Sequence, residues 1–263
     1  MPKFAANISL LFTEQPFLQR LSAAAAAGFQ GVECQFPYQL GARALAAARA
    51  DAGIPLVLHN LPPGDWAAGE RGIACLPERV AEFHAGVERA LEYARALHCR
   101  QLNCLAGIRP TSLSEEAARE TLLANLRHAA RKLAPHGIRL LLEPINQRDV
   151  PGFFVHRTEQ ALALLDELAE PNTGLQFDVY HSHVSGEDPA AMLRRWLPRI
   201  AHVQVSDEPG RREPGSGEID FQAVFAALEQ GAYRGWVGGE YQPAGDTLSG
   251  LGWMAELRGT LPR

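Results

Sequence analysis

The chain has 263 residues, 46% of them hydrophobic, which is material for one large domain with a sizeable core. A formal charge of −5 lacks the basic footprint of a nucleic-acid binder, and no run approaches the roughly 18 consecutive apolar residues of a membrane span. Cys34, Cys75, Cys99 and Cys104 form no CxxC pair, and Met1-Pro2-Lys3 passes into Phe4-Ala5-Ala6-Asn7 without an apolar leader, so a cytoplasmic protein with reduced thiols is expected.

Short apolar runs bounded by Gly, Pro or polar residues predict strands over residues 4–9, 31–35, 55–60, 101–107, 139–145, 174–180, 202–207 and 235–241. Stretches rich in Ala, Leu, Glu and Arg lie between them. Phe83, Val87, Ala90, Leu91 and Ala94 recur at helical spacing, as do Leu122, Leu126, Ala129, Ala130 and Leu133. Helix stops are expected at Ala27-Gly28, Ala52-Gly53, Pro135-His136-Gly137 and Gln230-Gly231. Two long loops, 61–76 and 146–156, each follow a strand. Eight such units without a composition break predict an α/β fold, a single (β/α)₈ TIM barrel spanning residues 1–263. The rival, an open doubly wound sheet, would carry a GxGxxG turn after its first strand, and none is present.

Four oxygen-bearing side chains fall at or near the C-terminal ends of successive predicted strands. Glu143, Asp178, Gln204 and Glu240 are spaced 35, 26 and 36 residues apart. A carboxylate at the end of a buried strand is costly unless a charge or hydrogen bond meets it there. In a barrel these ends converge on one mouth, where such hard donors suit Mg²⁺ or Mn²⁺. The alternative is that each acid caps a helix or pairs with an arginine. His181, three residues after Asp178, is expected in the same mouth against substrate, and His59 and Asn60 end another strand there. His183 and His202 are read as structural, His128 and His136 as surface residues. Arg211, with Arg212, sits in a loop that Gly210 and Gly215 allow to bend over the mouth, and a guanidinium there would clamp an anionic substrate. Two carboxylates beside a metal-bound hydroxy-carbonyl can pass a proton between adjacent carbons through an enediolate. A glycosidase also uses two carboxylates but has no need of Asp178 and Gln204. No GxSxG or nucleophilic Cys context appears.

Several segments resemble the hydroxypyruvate isomerase family, within the xylose-isomerase-like barrels. They are Leu142-Glu143-Pro144-Ile145-Asn146, Arg148-Asp149-Val150-Pro151-Gly152-Phe153-Phe154, Asn60-Leu61-Pro62-Pro63-Gly64-Asp65-Trp66, Gln101-Leu102-Asn103-Cys104-Leu105-Ala106-Gly107, Asn7-Ile8-Ser9, the run from Pro209 to Ile219, and Gly235-Trp236-Val237-Gly238-Gly239-Glu240-Tyr241. The resemblance implies interconversion of hydroxypyruvate and tartronate semialdehyde, with Glu143 and Glu240 as proton donor and acceptor. It further implies a divalent metal on Glu143, Asp178, Gln204 and Glu240, substrate contacts from His181 and Arg211, and a possible homo-oligomer. Related ketose epimerases have histidine where this chain has Gln204, and the family pattern has an aromatic residue where it has His59. Within the class, 2-oxo-tetronate isomerisation is the nearest rival; ketose epimerisation fits less well, because Arg211 suggests a carboxylate substrate. Outside it stand a non-catalytic sugar-acid binder and a multi-zinc endonuclease, the latter needing more histidines than the nine here.

Overall fold

A computed structural model describes residues 2–254. Eight parallel strands close on themselves in sequence order. They are β1 (Lys3–Asn7), β2 (Gly31–Cys34), β3 (Leu56–Asn60), β4 (Gln101–Cys104), β5 (Arg139–Leu142), β6 (Thr173–Asp178), β7 (Ile200–Val205) and β8 (Trp236–Gly239). Their connections hold α1 (Phe17–Ala26), α2 (Ala42–Ala52), α3 (Val80–Leu97), α4 (Glu115–Leu133) and α5 (Thr158–Leu168), then α6 (Val179–Val184) and α7 (Pro189–Trp196) after β6, and α8 (Phe221–Gln230) after β7. This is the expected (β/α)₈ barrel.

Local chemistry explains the helix limits. Ser114 accepts from the Ala117 N–H at the start of α4, whose first turn carries Glu115 and Glu116 and whose last carries Arg131 and Lys132, matching the helix dipole. Asp188 and Asp220 cap α7 and α8 in the same way. Gly53 and Gly137 end their helices in the left-handed conformation, as expected. Gly231 does not, since its φ is −78°. The strand predicted over 174–180 stops at Asp178, because that carboxylate accepts from the Tyr180 and His181 N–H groups and starts α6.

The main hydrophobic core lies between strands and helices, with Leu21, Leu45, Leu97, Leu102, Leu122 and Phe177 all fully or nearly fully buried. Inside the barrel, Ala5, Val57, Leu58 and Leu141 form a small apolar cluster. The rest of the interior is unusually polar: Asn7, Glu33, Asn103, Gln176, His202 and Gln204 are all buried. Buried polar groups at this density require mutual hydrogen bonds.

Candidate active site

Glu143 lies one residue beyond β5, Asp178 ends β6, and Glu240 lies one residue beyond β8, so the turns at these strand ends bring three buried carboxylates together at the C-terminal mouth. Arg211 neutralises part of this charge. Its Nη2 donates to Asp178 Oδ2 and to Glu240 Oε2, both at 2.9 Å. Glu240 Oε1 also accepts from Asn7 Nδ2 at 2.8 Å and Gln35 Nε2 at 3.2 Å, while Glu143 Oε2 accepts from Asn103 Nδ2 at 2.7 Å. Burial is the main force on both glutamates. It pushes Glu143 well above the usual carboxylate range, helped by the charges of Glu240 and Asp178. It raises Glu240 to about 7, with Arg211 pulling the other way. The two acids form an interacting pair that can hold a proton near neutrality.

His181 is held by a residue the sequence reading did not single out. Asn146 Oδ1 accepts from the Asp149 N–H at 2.8 Å, which turns Asn146 Nδ2 toward His181 Nδ1 at 2.6 Å. Nδ1 is therefore an acceptor and the proton sits on Nε2, which lies 3.9 Å from Asp178 Oδ2. Burial lowers the imidazole to about 4, so the ring is neutral and offers an N–H donor to the mouth.

Arg211 is delivered by a loop that is anchored from below. Asp207, fully buried, accepts from four backbone N–H groups, those of Glu208, Gly215, Gly217 and Ile219, at 2.8 to 3.0 Å. Asp207 and Arg212 also exchange backbone hydrogen bonds, which closes the loop neck. Arg211 itself has φ +54°, a left-handed conformation that costs roughly 1–2 kcal/mol for a side-chain-bearing residue. Its two charged hydrogen bonds offset that cost. The Arg211 Nε is buried and has no acceptor among the described residues.

The remaining expected residues divide. Gln204, expected as a metal ligand, is buried on the barrel interior with both ends of its amide hydrogen-bonded. Its Oε1 accepts from Gln176 Nε2 at 2.6 Å and its Nε2 donates to Glu33 Oε1 at 2.7 Å. The cation-sized cluster is Glu143, Asp178 and His181, whose candidate ligand atoms all lie within 4.8 Å of one another. With the His181 proton on Nε2, the carboxylates are the fitting donors for a hard divalent ion, and the site is compatible with one. His59, expected at the mouth, is turned away from it. It pairs in register with Cys34 and Leu102, both in the outer core, and packs edge-on against Tyr38. Its side chain faces the helix layer, and burial lowers its pKa to about 4. Asn60 is in register with Asn103 on the interior face, so it borders the mouth.

Under the mouth lies Glu33, absent from the expected site although its place inside the apolar run Gly31–Cys34 was a readable signal. Its Oε1 accepts from Asn7 Nδ2 at 3.1 Å and its Oε2 meets His202 Nε2 at 2.6 Å. Asn7 thus bridges Glu33 and Glu240, and His202 is a structural partner of Glu33.

Fold and site together define a xylose isomerase-like TIM barrel, and the family model of that description matches residues 21–257. Hydroxypyruvate isomerase of Escherichia coli (strain K12) is 46% identical over 258 residues, covering 98% of this chain and all of that one. A 2-oxo-tetronate isomerase of Cupriavidus necator is 42% identical over 259 residues with the same coverage. The chain belongs to the hydroxypyruvate isomerase family. A crystal structure described as an AP endonuclease of family 2 from Brucella melitensis superposes with a TM-score of 0.94 at 45% identity, covering 97% of this chain and 99% of that one.

Proposed function

We propose that this protein is a hydroxypyruvate isomerase that interconverts hydroxypyruvate and tartronate semialdehyde. The observation that carries the reading is the buried Glu143 and Glu240 pair, both shifted upward, beside the Arg211 side chain, which stays partly exposed at the mouth. That exposed part of the cation is the group a substrate carboxylate would meet. With Arg211 holding the carboxylate and the His181 Nε2–H donating to a substrate oxygen, one ionised glutamate removes a proton from C3. The resulting enediolate takes a proton at C2 from the other, and the hydroxyl proton passes from O3 to O2. Atoms and charge balance, and no external oxidant is involved. A Mg²⁺ or Mn²⁺ ion would be held by the clustered carboxylates of Glu143 and Asp178 and would supply polarisation of the substrate oxygens.

The 2-oxo-tetronates form a second reading of the same chemistry. A cleft of about 540 Å³ opens beside the mouth, lined by Ser9, Gln35, Phe36, Pro62 and Trp66 among others, and Gln35 also donates to Glu240. That space suits an acid longer than three carbons. A multi-zinc endonuclease has little support, since one close group of three potential ligands is found among the described residues and the net charge is −5.

The test is proton NMR in D₂O with hydroxypyruvate and with 2-oxo-tetronates, with and without a chelator. Deuterium entering C2 or C3 is the expected result, and relative rates rank the substrates. Loss of rate with chelator would assign a metal role. No exchange with either acid, metal-supplemented or not, refutes the isomerase reading and favours a non-catalytic binder.

A further inference from the structure

The end of the barrel opposite the mouth carries a second concave site. Lys3, Gln101, Arg139 and Trp236 are the first residues of β1, β4, β5 and β8, and with Arg100 they line a depression of about 460 Å³. Three cations border it and no acid does. That imbalance stands out in a chain of net charge −5. Elsewhere some arginines, such as Arg79, Arg131 and Arg211, meet a carboxylate, and others, such as Arg20, Arg89 and Arg212, donate to backbone carbonyls. Lys3, Arg100 and Arg139 form no ion pair among the described residues.

The cavity has an ordered floor. Trp236 closes over Gly31, where a Cβ would lie 2.9 Å from the indole, so only glycine admits the ring. Lys3 Nζ sits 4.3 Å from the centroid of that indole, a cation–π contact that fixes the ammonium at the rim. Arg100 spends one N–H on the His136 carbonyl at 2.9 Å and keeps the rest of its fork free. The Gln101 amide is steadied from inside the barrel, 3.5 Å from His202 Nδ1.

We infer that this depression binds a small dianionic metabolite, a phosphate ester or a dicarboxylate. Guanidinium forks match the paired oxygens of either group, and the ammonium held on the Trp236 ring adds a point charge. The volume falls within the roughly 300–1,000 Å³ usual for small-molecule sites. This site is independent of the isomerase chemistry at the other end.

Titration of the full chain with glycerol 2-phosphate and with succinate, at ionic strength held constant with NaCl, tests the assignment by calorimetry. Constant ionic strength separates site binding from screening. Saturable one-to-one binding in the millimolar range or tighter is expected for at least one probe, and the tighter probe identifies the anion class. Arg100→Gln combined with Arg139→Gln should weaken it at least tenfold with an unchanged melting temperature. Should that pair fail to fold, Lys3→Gln, at an exposed position, should weaken binding at least threefold. Equal binding to parent and variants would place the anion elsewhere and overturn the inference. So would the absence of saturable binding for both probes.

Discussion

Substituting Gly238→Ala should collapse the polar layer beneath the mouth. A Cβ at this position would lie 2.5 Å from both Cδ and Oε1 of Glu33. Ordinary contact requires about 3.5 Å, so the carboxylate would have to retreat by about 1 Å. A carboxylate at the end of a side chain can often swing aside, but this one is fully buried and accepts from Gln204 at 2.7 Å and Asn7 at 3.1 Å while meeting His202 at 2.6 Å. Movement breaks at least one hydrogen bond to a charged group, worth about 1.5–3 kcal/mol, and over-packing adds about 1–3 kcal/mol. Relief of glycine's backbone entropy returns about 0.5–1 kcal/mol. The net loss is about 1.5–5.5 kcal/mol, or a melting temperature lower by roughly 3–22 °C at about 2–4 °C per kcal/mol for a chain of this size. Asn7 bonds both Glu33 and Glu240, so turnover should also fall at least tenfold. Differential scanning calorimetry reads the first effect and the isomerase assay the second. Gly41→Ala, with nothing within 4 Å of its Cβ among the described residues, is the control and should stay within about 0.5 kcal/mol of the parent. A Gly238→Ala protein melting within about 2 °C of the parent would show that Glu33 moves freely, and the rigid layer would have to be abandoned.

Glu143→Gln and Glu240→Gln should each lower turnover with hydroxypyruvate by a factor of about 10² or more, measured by NMR; near-normal turnover in either would remove that residue from the proton transfer. His59 has its pKa lowered from 6.5 to about 4, so the unfolded chain binds more protons between these values and this residue makes stability fall as pH drops from 6.5 to 4. His59→Phe should therefore reduce the acid-side loss of stability by roughly 3 kcal/mol in denaturant titrations, with turnover kept within about threefold because the ring faces the helices. Glu240 acts in the opposite sense: its carboxyl is raised from 4.5 to about 7, so the native state binds more protons and stability falls as pH rises through that window. Glu240→Gln should flatten this decline in calorimetry at several pH values. Asp207→Ala removes the acceptor of four loop N–H groups, and kcat/KM should fall more than tenfold as Arg211 loses its support, while an unchanged value would show that the loop holds itself.

Much of the molecule was legible before any coordinates. Eight apolar runs alternating with helical spacing dictate a closed parallel barrel, because a strand buried on both faces needs a helix to cover it and a neighbour to pair with. The placement of Glu143, Asp178 and Glu240 at strand ends followed from that rhythm, since the barrel forces those ends to one mouth. Which neighbour each side chain would meet was not legible. Between the pairs Val32–Leu56 and Glu33–Leu58 the register slips by one residue, and that slip turns His59 to the face shared by Cys34, away from the mouth. The partners of Gln204 and His181 were out of reach of the sequence for a comparable reason. The Gln204 amide meets Glu33, 171 residues away, and His181 meets Asn146, 35 residues away. Sequence periodicity carries the face of a strand but not the partners across the barrel axis. Those depend on register, on which interior positions are glycine, and on where each buried donor finds its acceptor.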